Sequence, residues 1–224
     1  MKFKTVLRAV ALCCGLVGMA NSHAAAMLFD QVNDKNSILF STTRDGAALS
    51  VTVDFTLTAW TAKSATFAVH IANDSSGPGK NTLTSIGIDI ISPAIKTAVA
   101  NGDWNGSKLY TTLPGFQKVD LCLYAGKNCS GGGNSGLGEL KTVDFVLDLT
   151  TSGNFLTNGI TFENPFGVKF QSVGNGGGSY EFTGCISGTP NCGGTTKQVP
   201  EPASIALVGL GLLGATLARR RKVT

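Results

Sequence analysis

The stretch Leu49-Ser50-Val51-Thr52-Val53-Asp54-Phe55-Thr56-Leu57-Thr58-Ala59 alternates apolar and polar residues without a break. A period of two puts all the apolar side chains on one face of an extended chain, which predicts a strand with one face buried and one wet. The next run repeats the pattern with Ala65, Phe67, Val69 and Ile71. Further alternations occur at Ile86/Ile88/Ile90, Val119/Leu121/Leu123, Val143/Phe145/Leu147/Leu149, Ile160/Phe162, Val168/Phe170 and Tyr180/Phe182. Turn-forming residues separate them: Ser75-Ser76-Gly77-Pro78-Gly79, Asn101-Gly102, Pro114-Gly115, Gly131 to Gly138, Asn158-Gly159 and Gly174 to Gly178. About seven to ten short strands with Gly-rich turns, and no convincing amphipathic helix, predict an all-β domain over residues 25–187, an antiparallel β-sandwich or jelly roll. Residues 92–100 have room for a short helical turn. The polar, Gly- and Thr-rich stretch 188–198 reads as a flexible linker.

A chain of 224 residues has room for one core of ordinary size. With 29 glycines and only 14% charged residues it resembles neither a charged disordered tail nor a helix-rich cytosolic enzyme. The formal charge of +4 sits at the ends: seven of the 18 basic residues lie before Ala9 or after Ala218, leaving 11 basic and 13 acidic residues over 25–198, a net −2. A weakly acidic middle without a run of Lys or Arg lacks the footprint that phosphate backbones require, so no nucleic-acid partner is expected.

Met1 to Arg8 forms a basic n-region, Ala9 to Ala20 an apolar run, and Ser22-His23-Ala24 a small-residue site. This order predicts a signal peptide over residues 1–24, cut after Ala24 by signal peptidase. A retained anchor is the weaker alternative, since about 12 residues make roughly 18 Å of helix against a hydrocarbon core of about 30 Å. Cys13 and Cys14 leave with the peptide.

The other end runs Val199-Pro200-Glu201-Pro202, an apolar stretch from Ala203 to Ala218, then Arg219-Arg220-Arg221-Lys222. The prolines keep the backbone around Glu201 extended and open to a protease. About sixteen mostly apolar residues span about 24 Å, marginal for a permanent crossing but enough for a short transmembrane helix in a thinned bilayer. The basic cluster would hold the tail on the cytoplasmic side. In order and position these features resemble the PEP-CTERM sorting domain, over residues 199–222. The resemblance implies an exosortase as processing partner, cutting near Pro200-Glu201-Pro202. It also implies transient anchoring in the inner membrane and then a surface or extracellular-matrix location in a Gram-negative bacterium that makes exopolysaccharide and biofilm. The stretch Cys122 to Gly138 and the Val168 to Cys185 region are similar to a subset of such proteins, the cistern family. Within the tail, Gly209-Leu210-Gly211-Leu212-Leu213-Gly214 matches a dinucleotide fingerprint, but too few residues follow it for a βαβ unit. Its small residues suit close helix approach in a membrane better.

Cys122 and Cys129 share a six-residue spacing with Cys185 and Cys192. In an exported protein four cysteines read as disulfides, with three pairings open. The two local ones are favoured, each closing a loop of about eight residues worth roughly 2.5 kcal/mol. A four-thiolate zinc site is the rival, although the spacing is wide for a knuckle.

Catalytic signals are sparse. His70, the one histidine left after signal removal, falls on the wet side of its strand, and no G-x-S-x-G elbow accompanies it. Glu139, Glu163 and Glu181 are scattered, while Asp144 and Asp148 share a wet strand face, which reads as solvation rather than a glycosidase pair. Asp30, Asn33, Asp34 and Asn36 could present oxygens to Ca²⁺ but do not match an EF-hand, and an N-terminal turn is the simpler reading. No cofactor or metal is expected. Trp104, between Asp103 and Asn105 in a polar loop, is a candidate glycan contact that Tyr110 and Tyr124 would extend; the alternative is that its ring folds back onto the core. The expected function is therefore a non-catalytic exported surface or matrix protein, with a carbohydrate-binding module as the alternative and a glycoside-active enzyme as a distant one.

Overall fold

A computed structural model describes residues 26–104, 106–131, 135–189 and 192. The expected signal peptide, the sorting tail from Val199 to Lys222, and Asn105 lie outside the described residues.

Eleven strands follow one another: β1 (Ala26–Phe29), β2 (Lys35–Arg44), β3 (Ala47–Trp60), β4 (Ser64–Asn73), β5 (Gly79–Ser92), β6 (Ile95–Gly102), β7 (Gly106–Thr112), β8 (Lys118–Tyr124), β9 (Lys141–Thr151), β10 (Ile160–Val173) and β11 (Gly178–Ile186). The helical turn expected within 92–100 is instead the end of β5 and most of β6. A helix occurs elsewhere, α1 (Phe155–Asn158), where the Asn154 side chain accepts from the Leu156 N–H at 2.9 Å and Gly159 ends it at φ 76°. An Asn before and a Gly after are start and stop signals for a helix too short to show periodicity.

All pairings among these strands are antiparallel, and the sheet order is β6-β9-β4-β3-β2-β11-β10-β5-β8-β7, with β1 added to β10. The all-β antiparallel expectation holds. The two layers expected to be separate are joined, because β11 pairs with β10 through Tyr180 to Gly184 and with β2 through Cys185 and Ile186. The outer strands β6 and β7 meet at a seam, so the sheet is nearly closed. There the Ser107 hydroxyl donates to the Ala98 carbonyl at 2.8 Å.

The period of two explains the core. Leu49, Val51, Val53, Phe55 and Leu57 of β3 and Ala65, Phe67, Val69 and Ile71 of β4 are all buried, with Val53 opposite Ile71, Phe55 opposite Val69 and Leu57 opposite Phe67. Phe29, Phe55, Phe67 and Phe162 form its aromatic centre, with Phe29–Phe67 and Phe29–Phe162 ring centroids 5.0 and 5.1 Å apart. Each such ring contributes about 1.5–3 kcal/mol through burial. A second cluster of Leu113, Val119, Cys122 and Cys129, with Phe116 and Tyr124 against it, lies apart from this core. It needs two glycines paired across strands: a Cβ at Gly87 would lie 2.8 Å from Val119 Cγ1, and one at Gly167 2.7 Å from the Phe116 ring.

Disulfides join Cys122 to Cys129 and Cys185 to Cys192, the two local pairings. The Ser187 N–H donates to the Ser37 carbonyl and the Cys192 N–H to the Thr189 carbonyl, so the stretch expected to open a free linker at Gly188 begins as a stapled turn. The rest of 188–198 lies outside the described residues.

Candidate functional site

Strand register assembles a polar row from four separate segments. Ser37 of β2 lies opposite Asp54 of β3, Asp54 opposite His70 of β4, and His70 opposite Asp144 of β9. Asp54 lies between buried Val53 and Phe55 and His70 between buried Val69 and Ile71, while Ser37 adjoins buried Ile38 and Asp144 buried Phe145, so the row points to the wet face. His70 Nδ1 and Asp144 Oδ1 lie 2.7 Å apart, with the side chains 41% and 79% exposed. The Ser37 hydroxyl donates to Asp54, which stands between it and the histidine, so serine, histidine and aspartate do not form a nucleophilic relay.

The neighbouring row is Thr56, Ala68, Val146 and Asn101, from β3, β4, β9 and β6. Asn101 donates to Asp148 Oδ2 at 3.2 Å and Thr66 to Asp148 Oδ1 at 2.7 Å. Together the rows enclose a shallow concavity of about 400 Å³ lined by Asp54, Thr56, Ala68, His70, Asn101 and Asp144, with Val146 beside them.

The aromatic candidate behaves otherwise. Trp104 is 2% exposed and packs into the main core, so its ring face is not offered to a ligand. The connection from β6 to β7 is short, and burying an indole there is favoured over leaving it in water. Its Nε1 donor has no partner among the described residues. Asp103 stays at the surface, on a concavity of about 550 Å³ shared with Lys141, Thr142 and the glycine backbone at 126, 136 and 138. Tyr110 is exposed but commits its hydroxyl to the Ile95 carbonyl, and Tyr124 packs against the second cluster. Sequence reasoning missed the trough around Ala68, because it depends on which alanines and carboxylates face one another across strands.

The remaining carboxylates are dispersed. Glu139 accepts from Asn81 at 2.9 Å, Glu181 pairs with the buried Lys169, and Glu163 lies opposite Asp89. Burial pushes the Asp89 carboxyl above its ordinary range; the Asp120 N–H opposes this and the Asp120 charge adds to it. Asp34 is held below its ordinary range by the N–H groups of Asp30 and Gln31, which donate to it at 2.8 and 2.9 Å. That places the Asp30 to Asn36 segment as a capped turn. Among the described residues no three His, Cys, Asp or Glu side chains gather as a metal-holding group. No described helix is long and apolar enough to cross a membrane.

Among the described residues the domain is thus an all-β unit stapled by two disulfides, the second at Cys185–Cys192. Residues 198–222 match the family model of the PEP-CTERM protein-sorting motif, and the chain is a protein with a PEP-CTERM sorting domain. That motif implies export, transient anchoring through the C-terminal region and an exosortase as processing partner. No curated protein and no solved structure matches the chain.

Proposed function

We propose that this chain is an exported, non-catalytic surface or extracellular-matrix protein whose β domain is displayed after exosortase processing, in or beneath an exopolysaccharide layer of a biofilm. The observation that carries the reading is the sorting motif at residues 198–222, directly downstream of a domain stapled at Cys185–Cys192. Disulfides suit an oxidising destination outside the cytosol. The non-catalytic reading is supported by the separate commitments of Ser37, His70, Glu139 and Glu181, each bonded to a different partner.

Burial of the Trp104 indole argues against a glycan contact through its ring. The test of sorting is Glu201→Ala in the native host. The variant is expected to accumulate uncut in the membrane fraction while the native protein reaches the surface or medium; equal release of both would contradict exosortase processing at this motif.

A further inference from the structure

We propose that the wet face of β3, β4, β9 and β6 is a binding site for a neutral, hydroxyl-rich glycan chain, centred on Ala68. The inference goes beyond the sorting reading and does not rest on it, since it uses only the geometry of the domain.

The shape comes first. Ala68 sits on β4 with Thr56 opposite it on β3 and Val146 opposite it on β9. A small residue between two flanking strands leaves an opening of roughly 10 Å across, about the width of a sugar ring with its hydroxyls. The floor is apolar: Ala68, and Val146 at 40% exposed in the middle of an otherwise polar face. The C–H side of a pyranose ring needs such a floor. Polar groups border that floor: Asp54, His70 and Asp144 stand in the neighbouring row, and Thr56 and Asn101 at the two ends of the floor's own row.

The chemistry selects the class of ligand. Carboxylates accept charge-assisted hydrogen bonds from hydroxyl groups, and these are stronger than bonds between neutral partners. Neither Lys nor Arg lines the trough, so uronates, sulfates and phosphates meet Asp54 and Asp144 without compensation. A neutral polyol satisfies the rim without that repulsion.

The rim is also held in place before any ligand arrives. Asp144 is fixed by His70, Asp54 by the Ser37 hydroxyl, and Asn101 by Asp148. All stand on paired strands, so little ordering is left to be done on binding. His70 lines the trough with its Nδ1 engaged by Asp144.

The test is a titration of the secreted, processed protein, isotopically labelled, with three probes followed by amide NMR: dextran oligomers (neutral), chitosan oligomers (cationic) and oligogalacturonate (anionic). Dextran oligomers are expected to shift Ala68, His70, Asp144 and Val146 in one concentration-dependent set. Oligogalacturonate should leave them in place. Asp54→Ala combined with Asp144→Ala should weaken dextran binding by about tenfold or more, through loss of charge-assisted bonds. Ala68→Arg should abolish it by filling the floor. All three positions lie on the wet face, and an unchanged melting temperature shows that the fold survives. No response to dextran at these residues overturns the proposal. So does a response to chitosan alone, which would make this a cation site, a preference for oligogalacturonate, or full binding by Ala68→Arg.

Discussion

The Tyr110 hydroxyl donates to the Ile95 carbonyl at 2.7 Å across the seam between β7 and β6, where no backbone ladder joins the two strands among the described residues. Together with Ser107 and Ala98 this side-chain bond does the work a ladder does elsewhere in the sheet. Each such bond contributes about 0.5–1.5 kcal/mol. Tyr110→Phe with Ser107→Ala is therefore expected to lower stability by roughly 1–3 kcal/mol. Hydrogen exchange should accelerate on β6 and β7 ahead of β3 and β4, and uniform acceleration across the sheet would show that the seam is not a separate opening unit.

Trp104→Ala should act on folding, not on recognition. Removing a buried indole leaves a cavity in the main core and is expected to cost about 3–5 kcal/mol in denaturant unfolding. Trp104→Phe should cost less, because it keeps most of the apolar volume and removes an Nε1 donor that has no partner among the described residues. An alanine variant of native stability would return Trp104 to the surface.

The depth of the trough and the burial of Trp104 mark where sequence reading reaches its limit. β3 and β4 were legible because each has one wet and one dry face, which writes a period of two into local sequence. The outward position of His70 followed from its parity against Val69 and Ile71. Its partner Asp144, 74 residues on, did not follow, because register between distant strands leaves no local trace. The seam strands are illegible for a different reason: β6 exposes Val99 while burying Ala100, and β7 alternates in exposure but sets Leu109 beside exposed Tyr110 among polar residues, so neither writes an apolar alternation into the sequence. β1 is four residues long, and in β2 the alternation of Ile38 and Phe40 is blurred by Leu39 between them. The polar neighbours of Trp104 suggest a surface ring, whereas its environment is set by the core beneath the β6–β7 connection.

Asp89 gives the domain a pH dependence of known sign. Folding raises its pKa through burial, so the folded state binds more protons than the unfolded one between the unfolded value, about 3.9, and the raised folded value. Stability contributed by this group is therefore lost as pH rises through that window and stays lower above it. Asp89→Asn keeps an acceptor for the Asp120 N–H and removes the buried charge. The variant should melt higher than the native protein near neutral pH, with the difference closing in acid. A variant melting lower at neutral pH would show that the charged carboxylate is stabilising.

The two staples should be separable. Cys185→Ser with Cys192→Ser frees the turn after β11, and Cys122→Ser with Cys129→Ser frees the loop that closes the second cluster. Each pair is expected to lower stability by about 2–3 kcal/mol in the chain-entropy account. Non-reducing peptide mapping of the native protein should find only these two bridges, and a link between the pairs would contradict the fold's account of β8 and β11.

The central claim is that the β domain is exported and released from both terminal signals, and intact mass spectrometry of the protein from its native host tests it most directly. The account predicts a main species that begins near Ala25, lacks Arg219 to Lys222 and carries two disulfides. A main species that retains Met1 or ends with Lys222 in place would contradict it.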